Sequence, residues 1–377
     1  MHPAPPLRSA QKEAVKIALK VLAKSGGTTV VLPCGAGKSY VGAGVSKILA
    51  VRTAVLAHQT NLLAQWKDAF EKICGPSVKI GTVRGSVNHD GDVVLVSTPT
   101  LVSRGAQCIP PVSLVIIDEC HHAPAEATRM ALSQLECKYV LGLTATPDRA
   151  DKHPPEWYCG PRAPLHVTTT FGRVPEEAEE SLFPSTVTVE RVPLKVHQIC
   201  TKVGTTNDIV DRSGNAMLPK MLNYLMLSER RFKMVRDLLE EWSRKHHVIV
   251  LSDRKQVLKH LHECFPGSRL CTGDEGAQGQ REALADRPRI LLATTGVARE
   301  GLDAPWLDCV LLLTPSVRIE QCVGRVQRVG GGKTEAFVLD LIDLYPTYQH
   351  WARARKRRYE ALGACVQFHM GAPPSPN

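Results

Sequence analysis

Several things are scarce or missing in this chain, and each excludes something. No apolar stretch among its 377 residues approaches the ~18 needed to cross a bilayer as a helix, so no helical membrane span is expected. The opening Met1-His2-Pro3-Ala4-Pro5-Pro6 lacks the basic cap and apolar core of a secretory signal. None of the twelve cysteines forms a C-x-x-C pair or recurs at a zinc-finger interval, which argues against a disulfide framework and a structural zinc site. Scattered thiols without a signal fit a reducing, intracellular compartment. Aromatic residues make up only 5%, so rows of base-stacking platforms are not expected. No internal repeat of about 20–50 residues is visible, which removes solenoids and propellers.

What is present describes a globular protein. The chain is 43% hydrophobic and 22% charged, too apolar to be disordered throughout. At ~150 residues per domain it predicts two domains. The net charge of +10 favours polyanionic partners, and its placement is uneven. Residues 1–165 hold 18 basic and 12 acidic side chains, residues 166–350 hold 24 of each, and Arg353, Arg355, Lys356, Arg357 and Arg358 face the single acid Glu360 in the last stretch. A phosphate backbone suits a basic first half and tail. A soluble protein with a basic surface is the plain alternative.

Short β-branched runs alternate with longer amphipathic ones. Strands are expected at Thr28–Leu32, Thr53–Ala57, Asp92–Val96, Leu114–Asp118 and Tyr139–Leu143, with helices at Ala10–Ala23, Lys38–Leu49, Leu62–Cys74 and Glu126–Leu135. This alternation predicts an α/β fold, a parallel sheet covered by helices on both faces. Residues 151–200 are proline-rich and carry the acidic cluster Glu176, Glu177, Glu179 and Glu180, expected as a solvated face. The alternation then resumes, with one long helical stretch over Ala216–Trp242 and strands at His247–Leu251, Arg289–Ala293, Cys309–Leu313 and Ala336–Asp340. Helices are expected at Lys255–Cys264, Gln278–Asp286 and Ile319–Val326. The expected organisation is one lobe over 1–165, a Pro-rich excursion and linker over 166–200, a second lobe over 201–350, and a basic helix end with a disordered tail over 351–377.

The first strand runs into Pro33-Cys34-Gly35-Ala36-Gly37-Lys38-Ser39, and a helix follows. Glycines let successive N–H groups turn inward on phosphate oxygens, and the helix start adds partial positive charge. Lys38 can reach β- and γ-phosphates, and the Ser39 hydroxyl can ligate Mg²⁺. The strict G-x-x-x-x-G-K-[ST] pattern fails at Leu32, so a mere glycine turn before a helix stays open. Further on, Leu114-Val115-Ile116-Ile117 ends in Asp118-Glu119-Cys120-His121-His122. A buried strand whose tip carries two carboxylates enters a site at the sheet edge. Asp118 can hold the metal through water, and Glu119 can orient or deprotonate an attacking water. The solvated end of a strand is the alternative. Zinc ligation by Cys120, His121 and His122 is disfavoured, because adjacent positions do not easily converge on one ion.

Three further segments complete an order. They are Leu143-Thr144-Ala145-Thr146-Pro147, Ala293-Thr294-Thr295-Gly296 running on to Gly301-Leu302-Asp303, and Gln321-Cys322-Val323-Gly324-Arg325-Val326-Gln327-Arg328. From Leu7 to Asp343 the chain resembles the superfamily 2 helicases of DEAH/DECH type. Its motif flavour is nearest the XPB-type DNA translocases and the related helicases of large DNA viruses, including the poxvirus transcript-release type. The resemblance implies two tandem RecA-like P-loop domains, with ATP and Mg²⁺ as cofactors. It implies that Gln11, after Arg8, reads adenine. Pro33, Cys34, Gly35, Ala36, Gly37, Lys38 and Ser39 would bind phosphate, with Ser39 and Asp118 on the metal. Asp118, Glu119 and His121 would form the hydrolytic motif, with His121 coupling it to the strand site, and Thr144 and Thr146 would link hydrolysis to movement. Gly301 and Asp303 would lie on the nucleotide side of the second lobe. Gln321, Arg325 and Arg328 complete the set, the two arginines reaching the γ-phosphate.

The strand is expected to be held through its backbone by His58, Gln59, Thr60, Ser97, Thr98, Ser252, Arg254 and Thr294, without base readout. Trp66, at helical spacing with Leu62 and Leu63, reads as core. The Arg353–Arg358 stretch reads as a solvated basic helix end, a nucleic-acid contact or a nuclear-import signal. The expected function is a nucleic-acid-dependent ATPase acting as a DNA helicase or duplex translocase, with 3′–5′ polarity taken from the resemblance. DNA ranks ahead of RNA, and no membrane partner is expected. A monomeric motor suffices, with a transcription or replication partner possible. The compartment is nucleus or cytoplasm, with a viral origin suggested by motif flavour. An RNA helicase or transcript-release factor is the near rival. An inactive nucleic-acid scaffold is the distant one, opposed by the retained Lys38, Asp118, Glu119 and Arg325. A small-molecule kinase would leave the second half unexplained.

Overall fold

The computed structural model describes residues 7–123, 125–147, 153–171, 186–300, 302, 304–315 and 319–371. The chain divides into two compact units, Met1–Val189 and Glu190–Asn377. Each unit is built around a seven-stranded sheet among the described residues.

In the first unit the sheet order is Gly27–Val31, Tyr139–Thr144, Leu114–Asp118, Thr53–Ala57, Val93–Ser97, Ile80–Arg84 and Val87–His89. All neighbours pair parallel until Ile80–Arg84 turns back antiparallel into Val87–His89. Side-chain alternation explains the two-sided cover. Val55, Leu95, Leu114 and Ile116 pack into one cluster with Trp66 and Phe70, while Leu56, Val94, Val96, Val115 and Ile117 face a second cluster. The helix Ser9–Ser25 stops at Gly26, whose φ of 70° returns its N–H to the carbonyl of Leu22.

The second sheet runs Arg269–Cys271, Ile290–Thr294, Val248–Ser252, Cys309–Leu312, Ala336–Ile342, Leu194–Cys200 and Cys365–His369, parallel throughout. Again alternate residues divide between two cores, Ile249, Leu251 and Val310 on one face and Val248, Val250 and Leu311 on the other.

Three boundaries differ from the sequence expectation. Leu194–Cys200, expected in the linker, is a strand of the second sheet. His197 and Gln198 interrupt its apolar run, but the Gln198 amide donates to Asp340 and to the Ala352 carbonyl, each at 3.0 Å. The expected helix over Ala216–Trp242 is two helices, Leu218–Leu227 and Glu229–Ser243, because the Ser228 hydroxyl accepts from the Arg231 N–H and caps a new start. The last stretch is helix Pro346–Ala361 followed by the edge strand Cys365–His369. Within that helix Arg355 is 1% exposed and pairs with Asp340 at 2.8 Å, so the basic cluster is not uniformly solvated. Arg231 and Asp343 form a second buried pair at 2.8 Å. The acidic cluster Glu176–Glu180 and residues 372–377 lie outside the described residues.

Candidate nucleotide site and nucleic-acid edge

Parallel strands end on one edge of a sheet, and in the first unit that edge gathers the predicted chemistry. The Pro33–Ser39 loop follows Gly27–Val31, the acid pair ends Leu114–Asp118, Thr144 ends the strand between them, and His58 and Ser97 end the next two. Gly35 and Gly37 have φ of 86° and 83°, which only glycine adopts without strain, and Gly37 caps helix Lys38–Leu49. A Cβ on Gly37 would lie 2.3 Å from Nε2 of Gln11. That side chain is buried and spans the loop. Its Nε2 donates to the Ala36 carbonyl at 3.1 Å, while its Oε1 accepts from the Arg8 N–H at 3.0 Å. The structure therefore uses Gln11 to fasten the phosphate loop.

The acid pair is asymmetric. Lys38 Nζ lies 3.4 Å from Oε1 of Glu119. Burial opposes the Glu119 charge, but the Lys38 ammonium and His121 outweigh it and hold the carboxyl down at about 2. Asp118 goes the other way, pushed up to about 6 by burial and by the neighbouring Glu119 charge. It accepts two hydrogen bonds, from the Glu119 N–H at 3.0 Å and from the Trp66 indole N–H at 2.8 Å. Glu119 sits in the left-handed region, φ 46° and ψ 52°, an uncommon conformation for a non-glycine residue and one that clusters at functional sites. His121 Nδ1 is 3.4 Å from Oε2 of Glu119 and 3.0 Å from the Thr144 hydroxyl, which also accepts from the Thr146 N–H at 3.1 Å. Lys38, Glu119, His121, Thr144 and Thr146 thus form one connected chain.

These residues fit a nucleoside triphosphate with a divalent cation. The loop is a cradle that a Cβ would fill, and Asp118 is a carboxyl whose ionised form calls for a neighbouring positive charge. Ser39 lies in the first turn of the helix, beside the loop, and its hydroxyl is an oxygen that could join Asp118 on such a cation.

The strand-contact candidates separate. His58 is exposed, Gln59 half-buried, Ser97 buried and Thr98 half-buried, all on the same edge of the first sheet. The Thr60 side chain lies outside the described residues. In the second unit Arg254 and Thr294 are half-buried. Ser252 is fully buried, and its hydroxyl is turned inward to the Arg254 N–H at 3.1 Å and the Thr314 hydroxyl at 3.4 Å. The hydroxyl expected to contact the strand is thus engaged inside its own unit. Arg325 donates to the Leu302 carbonyl, and Arg328 bridges to Arg191 at the opposite sheet edge from Thr294. Gly301, Asp303 and the side chain of Gln321 lie outside the described residues.

Sequence reasoning missed two participants. Trp66 was read as core, and it is 1% exposed, but its N–H also holds Asp118. His122 stacks on His58. Neither pairing has a signature in linear spacing.

Residues 4–149 match the family described as the type III restriction enzyme res subunit. A protein of Acanthamoeba polyphaga mimivirus, named as a candidate ATP-dependent RNA helicase, is 26% identical over 368 residues, 94% of this chain and 67% of its own. The DNA 3′–5′ translocase XPB2 of Sulfurisphaera tokodaii is 34% identical over 148 residues, covering 39% of this chain and 32% of the translocase. A candidate ATP-dependent RNA helicase of African swine fever virus is 22% identical over 385 residues, covering 95% and 73%. Among solved structures, the Type ISP restriction-modification enzyme LlaBIII bound to DNA aligns at a TM-score of 0.61 with 15% identity, over 98% of this chain and 32% of that one. A fragment assigned as the HsdR subunit of a type I restriction enzyme from Vibrio vulnificus aligns at 0.61 with 19% identity, over 92% and 65%. The fold is that of two RecA-like units. Over more than nine-tenths of its length the chain is thus similar to proteins named as ATP-dependent helicases of large DNA viruses, and over 39% of it to an XPB-type DNA translocase.

Proposed function

We propose that this chain is a nucleic-acid-dependent ATPase acting as a DNA helicase or duplex translocase. The observation that carries the reading is the chain of contacts from Lys38 through Glu119 and His121 to Thr144, set at the sheet edge beside a glycine-built phosphate loop. Lys38 and the loop N–H groups hold the phosphates, and Glu119 orients and deprotonates the attacking water. Ser39 and Asp118 would hold Mg²⁺, which when bound neutralises charge on the phosphates. The resemblance assigns Arg325 and Arg328 to charge on a transferring phosphoryl group, a contribution of about 10³–10⁵ in rate in related nucleotide hydrolases. His58, Gln59, Thr98, Arg254 and Thr294 grip the backbone of the strand. A monomer suffices, and the viral relatives support a virus-encoded protein.

The test is ATP hydrolysis without nucleic acid, then with single-stranded DNA, double-stranded DNA, RNA and an RNA–DNA hybrid at one fixed salt concentration. DNA should stimulate turnover, and Lys38→Ala and Glu119→Gln should each lower it at least about 100-fold while strand binding persists. Undiminished turnover in both variants would sink the reading. RNA is the second reading, favoured by the names of the two viral relatives, and stimulation by RNA alone would select it.

A further inference from the structure

We propose that His122 is a positioning residue that ties the hydrolytic carboxylate Glu119 to the nucleic-acid edge at His58. The inference rests on the ATPase reading above and adds a branch to it.

Three imidazoles form a continuous stack within the first unit. The rings of His121 and His122 have centroids 4.2 Å apart and are tilted by 42°. The rings of His122 and His58 are 5.1 Å apart and 18° from parallel. One end of the stack is His121, which faces Glu119 and Thr144. The other end is the exposed ring of His58, on the turn after strand Thr53–Ala57.

The backbone makes the near end stiff. The His122 N–H donates to the Glu119 carbonyl and the Ala123 N–H to the Cys120 carbonyl, both at 2.9 Å, so Glu119 and His122 move as one short turn. The left-handed backbone of Glu119 fixes the direction in which that turn leaves the strand. The far end is referenced to the same acids by a separate route. The helix Thr60–Cys74 begins two residues after His58, and its Trp66 donates to Asp118.

What moves is the partner of Glu119. Lys38 lies against one oxygen of the carboxylate and His121 against the other. A triphosphate entering the loop competes for Lys38, because it offers several anionic oxygens where Glu119 offers one charge. Glu119 then depends more on His121, and the ring shift passes through His122 to His58. This branch differs from the link through His121 and Thr144, which stays inside the sheet edge. It ends on a solvent-facing ring, where a strand can feel it.

The full chain with isotope-labelled histidine is titrated with Mg²⁺ and a non-hydrolysable ATP analogue, and the ring resonances of His58 are followed. They should shift in the parent protein. His122→Ala should abolish that shift with analogue affinity kept within about twofold, and His122→Phe, which keeps a stacking ring, should restore it. In parallel, the DNA concentration giving half-maximal ATPase stimulation should rise about fivefold or more in His122→Ala. It should stay near the parent value in His122→Phe. An intact His58 shift in His122→Ala overturns the proposal, and so does equal loss in the Ala and Phe variants. If the analogue binds but no nucleic acid stimulates turnover, the translocase reading fails and the His58 shift still decides the role of His122. If the analogue does not bind the parent protein, both fail.

Discussion

The indole N–H of Trp66 donates to Oδ2 of Asp118 at 2.8 Å, so a core residue of helix Thr60–Cys74 sets the orientation of the carboxylate that would face Mg²⁺. Trp66→Phe keeps most of the ring volume and removes the donor. The expected result is an apparent Mg²⁺ affinity about 10–100-fold weaker, as for other partners of metal-binding carboxylates. Unchanged Mg²⁺ dependence of turnover would show that the hydrogen bond is incidental.

Helix Lys38–Leu49 comes close to the same ring at Gly42. A Cβ there would lie 2.5 Å from Cη2 of Trp66. Gly42→Ala should destabilise the protein by about 1–3 kcal/mol through overpacking, measured by urea unfolding. Combining it with Trp66→Phe should lose less than the sum of the two single changes, because the smaller ring makes room. Additive losses would contradict this account.

Arg355 illustrates how misleading a run of basic residues is. It is buried and paired with Asp340, while Arg353 and Arg357 are exposed on the same helix. Arg355→Ala leaves an uncompensated buried charge and should cost about 3–5 kcal/mol. Arg353→Ala and Arg357→Ala should each stay within about 0.5 kcal/mol in stability. Equal effects at the three positions would refute the burial argument.

Acid should weaken the second unit through His197. Burial, then the neighbouring His369 and Lys195, pushes its imidazole down to about 4, and His197 Nδ1 lies 2.9 Å from Nε2 of His369. The unfolded chain takes up the proton near 6.5, so the folded state gains from a neutral His197 above that value. That stability is lost as pH falls from about 6.5 towards about 4. Between about pH 7 and about pH 5 the expected loss is about 1–2 kcal/mol, and His197→Gln should flatten that part of the pH profile.

Local pattern was enough for much of this. The runs at Leu114–Asp118 and Thr53–Ala57 are continuous apolar strands buried on both faces, and the structure places their ends where expected. Helices Lys38–Leu49 and Lys255–Cys264 match the periodicity to the residue. Other elements were hidden by chemistry that only the fold supplies. Leu194–Cys200 looks too polar for an inner strand until Asp340 is seen to satisfy Gln198. The Lys38–Glu119 pair joins two motifs anticipated separately, while the Trp66–Asp118 and His58–His122 contacts bring together positions 52 and 64 apart, a range at which linear spacing carries no distance information.

The position of Leu194–Cys200 also governs the order of assembly on the ribosome. It is the first sheet strand of the second unit to emerge, yet its two neighbours come last. The Gln198–Asp340 bond spans 142 positions, and the His197–His369 contact spans 172. The first unit has all its strands in hand long before, and can close while synthesis continues. For the remainder of translation this strand of the second unit waits without either hydrogen-bonding neighbour. Its Lys195 and the preceding Pro193 are the features nearest to hand that discourage wrong edge pairing during that interval.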